Sequence, residues 1–326
     1  SSDVCSSDLM KTFALACLVA SACAMSEIES AFLGYITEFG KSYSNMAEYE
    51  MRLTNFAQKH SVIRAHNAEE SAYKLGHNKM SDWTEEEYAS VLTYKPNMVN
   101  STVVESDVSP MGYSPVDWRS TSCLSPVQDQ GQCGSCWAFS SVASMENKYC
   151  AQNGTLYKLS EQQLVDCVNL CFGCNGGNAA LAFRYWESHN AMSEASYAYT
   201  AKDGTCAYNA SSATPVKAVS YTGVTADSPD SMKAALVNNI MSVAIQANQL
   251  SFQLYSSGVF TNTNCGTQLD HATNVVGWGT EGSMDYWIMR NSWGASWGES
   301  GYMRLEIVNG VGLCGIQMQP NFPVAN

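Results

Sequence analysis

Reactive side chains are densest in Gln130-Gly131-Gln132-Cys133-Gly134-Ser135-Cys136-Trp137. Cys133 and Cys136 form a C-x-x-C pair, which serves a redox dithiol, half of a zinc site, or one activated thiol whose neighbour is bonded elsewhere. A redox pair belongs after a strand of a βαβ unit, and the residues before Gln130 do not read that way. A zinc site needs a second close pair, which Cys171 and Cys174 can supply. Zinc leaves two features without a role: His271, in Leu269-Asp270-His271-Ala272, and Asn291, in Arg290-Asn291-Ser292-Trp293-Gly294. A nucleophilic thiol uses both. It attacks as thiolate, which a nearby imidazole and a helix N-terminus favour. Gln130 can aim its amide at a developing oxyanion. Of the five histidines, His60, His66 and His77 lie in a separable first segment and His189 at the polar end of a predicted helix. That leaves His271 as base, with the Asn291 carbonyl orienting its ring and Trp293 and Trp297 shielding the bond.

These groups need elements to hold them. Helical patterns cover Cys136–Cys150, Leu159–Cys167 and Asn178–Glu187. Alternating patterns follow at Met241–Ala247, Ser257–Thr261, Asn274–Trp278, Tyr286–Asn291 and Tyr302–Ile307, separated by Gly and Asn turns. Ser228-Pro229-Asp230 predicts one more helix start. A helical half followed by a β half predicts an α+β protein with a cleft between the two.

Upstream, residues 1–9 have no targeting logic and read as an artefact before Met10. Residues 10–24 read as a secretory signal peptide. Residues 25–94 are rich in helix formers and free of cysteine after Met25, and residues 95–113 read as an exposed linker. The remainder is 114–326. Thirteen cysteines point to an oxidising route through the secretory pathway, ending in a lysosome, a vacuole or outside the cell. A net charge of −13 argues against nucleic acid as partner, and no later run is long enough to span a membrane. Asn100, Asn153 and Asn209 sit in glycosylation sequons.

Cys133-Gly134-Ser135-Cys136-Trp137, with His271 and Asn291 downstream, resembles the papain and cathepsin signature. Asp117-Trp118-Arg119, Cys174-Asn175-Gly176-Gly177, Tyr286-Trp287 and Trp297-Gly298 extend the likeness from about Val116 to Pro323. Glu48, Arg52, Phe56, Ile63 and Asn67 resemble the ERFNIN helix of cathepsin-L-type propeptides, with Lys59 where that pattern has Asn. Gly76, Asn78 and Asp82 resemble the GNFD pattern, with Met80 in place of Phe.

The resemblance implies a papain-like two-domain fold, a helical left domain and an antiparallel β-barrel right domain, preceded by a helical inhibitory propeptide. It implies a monomeric cysteine endopeptidase, made as a zymogen, that hydrolyses proteins and peptides through a thioester without metal or cofactor. Its own propeptide would be its inhibitor. Catalytic roles fall to Cys136, His271, Asn291 and Gln130. Substrate would meet Gly176, Gly177, Asn178, Ala179, Ala244, Leu269, Asp270, Ala272 and Trp293, with Gln319 at the base of the S2 pocket. Implied disulfides are Cys133–Cys174, Cys167–Cys206 and Cys265–Cys314. A fourth, Cys123–Cys150, is similar to an extra bridge in cathepsin B and would leave Cys171 free; the pairing of these three cysteines stays open. Both the first segment and the remainder are net acidic, so release by acid is expected to act through local carboxylates, with Asp82 and Glu48 as candidates. Two rival classes remain: a catalytically silent binding protein on this scaffold, and a redox or zinc C-x-x-C protein.

Overall fold

A computed structural model describes residues 27–96 and 113–326. The expected signal peptide, most of the expected linker and Asn100 lie outside them. Helix α1 runs through 27–38, α2 through Met46–Ala68 and α3 through Glu85–Ala89. α2 starts on Asn45, whose side chain accepts the Glu48 N–H. Phe32, Tyr35 and Phe56 form its buried seam with α1. Asp82 is buried beneath this seam, accepting from Tyr35 Oη (2.7 Å), Lys41 Nζ (2.8 Å) and Tyr43 Oη (3.0 Å). Arg52 ties α2 to α3 through Glu87, which also closes a capping box with Thr84. Lys59, the departure from the helix pattern, reaches the Trp83 carbonyl at 2.6 Å.

The strands are β1 (Tyr73–Leu75), β2 (Val116–Asp117), β3 (Ala218–Gly223), β4 (Met241–Ile245), β5 (Tyr255–Phe260), β6 (His271–Glu281), β7 (Met284–Arg290), β8 (Tyr302–Glu306) and β9 (Asn321–Ala325). They form one sheet in the order β1-β5-β8-β7-β6-β4-β9-β3, with β2 paired to β6. The expected antiparallel barrel is therefore corrected to an open sheet. β1, from the first segment, takes the free edge of β5, and β3 ends the opposite side. β5 also reaches β8 by a crossover and pairs with it in parallel.

The remaining helices are α4 (Cys136–Asn153), α5 (Glu161–Cys167), α6 (Ala179–Trp186), α7 (Pro229–Leu236) and α8 (Leu250–Gln253). α4 is buried nearly all round and ends at Gly154, whose φ of +72° a side chain would resist. Ser160, Asn178 and Ser228 cap α5, α6 and α7. One core gathers Trp137, Phe183 and Trp186 around the helices. The other, on the sheet, holds Trp287, Trp293 and Trp297 and takes in Met80 and Trp83 from the first segment. Among the described residues, disulfides join Cys123–Cys150, Cys133–Cys174, Cys167–Cys206 and Cys265–Cys314, and Cys136 and Cys171 are buried free thiols. No helix among the described residues is long and apolar enough to cross a membrane.

His60 and His77 stack at 5.2 Å between centroids and share a 2.9 Å hydrogen bond, with His77 also stacked on Phe56 at 4.3 Å. That bond needs one ring nitrogen as acceptor, so two imidazolium ions break it. Burial, then the neighbouring His60, pushes His77 down to about 4. His60 is lowered by burial and Arg64, with Glu27 opposing. A histidine with a lowered folded pKa contributes stability above its ordinary value of 6.5 and loses it as pH falls towards 4. The loss should be about 2 kcal/mol, discounted for partial exposure. His77→Phe keeps the stack and should flatten the pH dependence of precursor melting between pH 6.5 and 4. Calorimetry across that window checks it; an unchanged slope would remove the pair as a proton sensor.

Candidate active site

Cys136 is the first residue of α4 and His271 the first of β6. Ser140, one turn into α4, donates to the Thr273 carbonyl of β6 (2.7 Å) and shares a 2.7 Å bond with the Ser242 hydroxyl of β4. Asn274 Nδ2 donates back to the Ser140 carbonyl and Ser144 Oγ, both at 2.9 Å. This polar seam brings the two element ends together. The sulfur of Cys136 receives the backbone N–H groups of Ala272, Thr93 and Trp137.

His271 Nε2 lies 2.8 Å from Asn291 Oδ1, which also accepts the Ser292 N–H at 2.8 Å. Trp293 stacks on His271 at 4.7 Å, and Trp297 and Phe252 meet Trp293 edge-on. The His271–Asn291 bond is thereby sealed from water. His271 Nδ1 has no hydrogen-bond partner among the described residues. Gln130 is fully buried; its Oε1 accepts from Ser292 Oγ (2.7 Å), and its Nε2 donates to the carbonyls of Cys133 (2.9 Å) and Val91 (3.2 Å).

The groove is filled by residues 91–96, where the first segment runs into the linker. Tyr94 N–H donates to the Asp270 carbonyl (2.9 Å) and Lys95 N–H to that of Gly177 (3.0 Å). Thr93 Oγ1 donates to the Gly134 carbonyl at 2.6 Å. The Tyr94 hydroxyl donates to Gln319 Oε1 (2.9 Å) and accepts from Asn178 Nδ2 (3.0 Å). Its ring shares a buried cluster with Cys136, Ala179, Ala244, Leu269 and Ala272. Gly176 has φ +114°, and a Cβ there would meet the Thr93 carbonyl oxygen at 2.0 Å. Gly177 lies against the Trp137 ring and Cys171 Sγ. Every expected site residue thus lines one groove or backs it. Lys79 pairs with Asp129 beside the groove, and Asn78 Nδ2 holds the Gln253 carbonyl at 2.7 Å.

Burial dominates the electrostatics. It pushes the Cys136 thiol up to about 11 against its three N–H donors, and His271 down to about 4 against the bond to Asn291. Thiol and imidazole are both neutral beneath the first segment. Asp270 is raised by burial to about 6. Cys133 is bonded to Cys174, so the C-x-x-C pair does not close on itself. Sequence reasoning missed Val91, Thr93 and Tyr94 as groove-fillers, and Ser135, Ser292 and Tyr199 as supports. Ser292 neighbours a singled-out residue, but no local pattern marks Tyr199.

A model described as papain family cysteine protease matches residues 113–324, and one described as cathepsin propeptide inhibitor domain matches residues 32–88. The chain belongs to the papain family of cysteine proteases. A probable cysteine protease of Arabidopsis thaliana is 42% identical over 92% of this chain, which spans 67% of that relative. Digestive cysteine proteinase 1 of Homarus americanus is 38% identical, covering 88% of this chain and 92% of its own. The structure of digestive procathepsin L 3 from Tenebrio molitor larval midgut superposes with a TM-score of 0.83 at 34% identity, over 91% of this chain and 98% of that one. The protein is accordingly a papain-family cysteine protease in zymogen form, with an inhibitory propeptide ahead of its protease domain.

A neutral thiol in this zymogen predicts slow alkylation. At pH 7, iodoacetamide should label Cys136 about 100-fold faster once the propeptide is removed, as the thiolate fraction recovers. Cys171, held up near 12 by burial, should stay unlabelled in both forms. Time-resolved peptide mapping reads both sites, and equal Cys136 rates would contradict the assignment of its pKa to burial.

Proposed function

We propose that the mature protein is an endopeptidase in which Cys136 attacks, His271 shuttles the proton, Asn291 orients His271 and Gln130 stabilises the oxyanion. The observation that carries this reading is the Gln130–Val91 contact. A peptide carbonyl of the propeptide accepts from the donor assigned to the oxyanion, at 3.2 Å, while Thr93 presents an N–H to the sulfur. The groove thus already holds peptide backbone through the polar groups that catalysis needs. It faces the sulfur with a donor instead of an electrophilic carbon, which explains inhibition without cleavage.

In the open enzyme, the proton moves from Cys136 to His271 and the sulfur attacks the scissile carbonyl carbon. The resulting oxyanion receives the Gln130 side-chain amide and the unpaired N–H groups at the α4 N-terminus. His271 then protonates the leaving amine, giving a thioester. Water, deprotonated by His271, attacks the thioester, releases the acid and restores the thiol.

Removal of the propeptide within residues 95–113 would leave 114–326 as the enzyme. Acid favours the open state, since an imidazole buried with a pKa near 4 gains protons on exposure. Glu87, lowered by Arg52, and Glu48, lowered by Ser44, lose their contributions only as pH falls through the carboxylate range, after the histidines. Tyr94 supports an S2 pocket for a large apolar or aromatic P2 side chain, with Gln319 offering a neutral polar end. Protein and peptide substrates fit a groove that accepts extended backbone. Four disulfides favour a secretory route to a lysosome, a vacuole or the extracellular space.

Cys136→Ala should abolish hydrolysis, by about 10⁴-fold or more, and His271→Ala should come close to it, with Asn291→Ala milder. Acid-activated precursor and a fluorogenic library varied at P2 provide the measurement. Substantial activity in Cys136→Ala would eliminate the mechanism, and no hydrolysis by the activated, unmodified protein would revive a binding-protein role. Preference for Arg over Tyr, Phe and Leu at P2 would reject the S2 assignment.

A further inference from the structure

Ser135 stands at the N-cap of α4, where a serine hydroxyl ordinarily accepts a backbone N–H of the first turn. Here its side chain makes no capping bond. The Ser135 hydroxyl instead lies 2.6 Å from Tyr199 Oη. The same phenol donates to the main-chain carbonyl of Gln130 at 2.8 Å. One hydroxyl therefore spans the two ends of the loop that separates Gln130 from Cys136. The loop is pinned at its middle by Cys133–Cys174. Tyr199 is held in turn: its N–H donates to Glu194 Oε1 at 2.9 Å, and its ring meets Phe139 of α4 edge-on at 4.8 Å. Burial raises its pKa, so it remains a donor at any working pH.

We propose that Tyr199 is a positioning residue for the oxyanion site, setting the Gln130 amide against the α4 N-terminus; this rests on the catalytic reading above. Two physical consequences follow. The phenol sets the spacing between the two donor sources, and a donor displaced by a fraction of an ångström loses much of its hold on a developing charge. It also draws the Ser135 hydroxyl away from the first-turn N–H groups, leaving them free to receive the oxyanion. Without the phenol, Ser135 would be free to cap its own helix and compete for those donors.

The test uses Tyr199→Phe in the full-length precursor, acid-activated and active-site titrated. The ring and its contact with Phe139 are retained, while both hydrogen bonds are lost. kcat for an amide substrate should fall about tenfold with KM within about twofold. A peptide aldehyde, whose adduct carries an oxyanion, should bind about tenfold more weakly. Alkylation of Cys136 by iodoacetamide, which forms no oxyanion, should change less than about threefold. Ser135→Ala, which cannot recap the helix, should retain more activity than Tyr199→Phe. An unchanged kcat, or equal losses in aldehyde binding and alkylation, would overturn the proposal. If the catalytic reading itself fails, alkylating Cys136 in the unmodified enzyme leaves activity intact, an outcome distinct from either.

Discussion

The site depends on the contact between α4 and β6. Cys136 and His271 are the terminal residues of these elements, so their relation is set by how the helix lies across the sheet. Small polar side chains, Ser140, Ser144 and Asn274, lock that crossing with directional bonds in a buried seam. Apolar packing alone would hold the helix against the sheet but tolerate sliding. Buried hydrogen bonds tolerate little, because each unmade one leaves a desolvated polar group. The seam thus converts two separate cores into one rigid frame for a thiol and an imidazole.

The propeptide works on that frame chiefly by excluding water. Residues 91–95 reuse the groove's own polar groups, so the Gln130 amide and the Asp270 and Gly177 carbonyls stay paired beneath them, while His271 Nδ1 does not. Loss of hydration returns both reactive groups to their neutral forms. The propeptide lobe is anchored remotely, through β1 on the edge of β5, Met80 and Trp83 in the sheet core, and Asn78 on Gln253. Its charges are paired within the lobe, Asp82 with Lys41 and Arg52 with Glu87, and across to the protease part by Lys79 with Asp129, which reconciles tight closure with two net acidic parts.

Much of this was legible in the residues. Signals with a local cause, such as the Ser228-Pro229 start of α7, Asn178 ahead of α6 and the alternation in β7 and β8, correspond to observed elements. That the sheet stays open was not, because closure depends on which edges pair. A short strand distant in sequence, β1, occupies one of them. The propeptide's path was equally hidden: Val91 to Lys95 carry no motif, and their role exists only where Gln130, Asp270 and Gly177 face them.

The sequence by itself determined the chemistry: a thiol at a helix start, one histidine left to serve it, an asparagine and a glutamine in signature contexts, and a helical segment ahead of them. Those follow from side-chain type and short-range spacing. Tertiary structure alone decided the protonation of the pair, the seating of Tyr94 among Ala179, Ala244, Leu269 and Ala272, and the bridge made by Tyr199. Each depends on desolvation or on contacts between residues distant along the chain, and neither leaves a periodic trace in the order of amino acids.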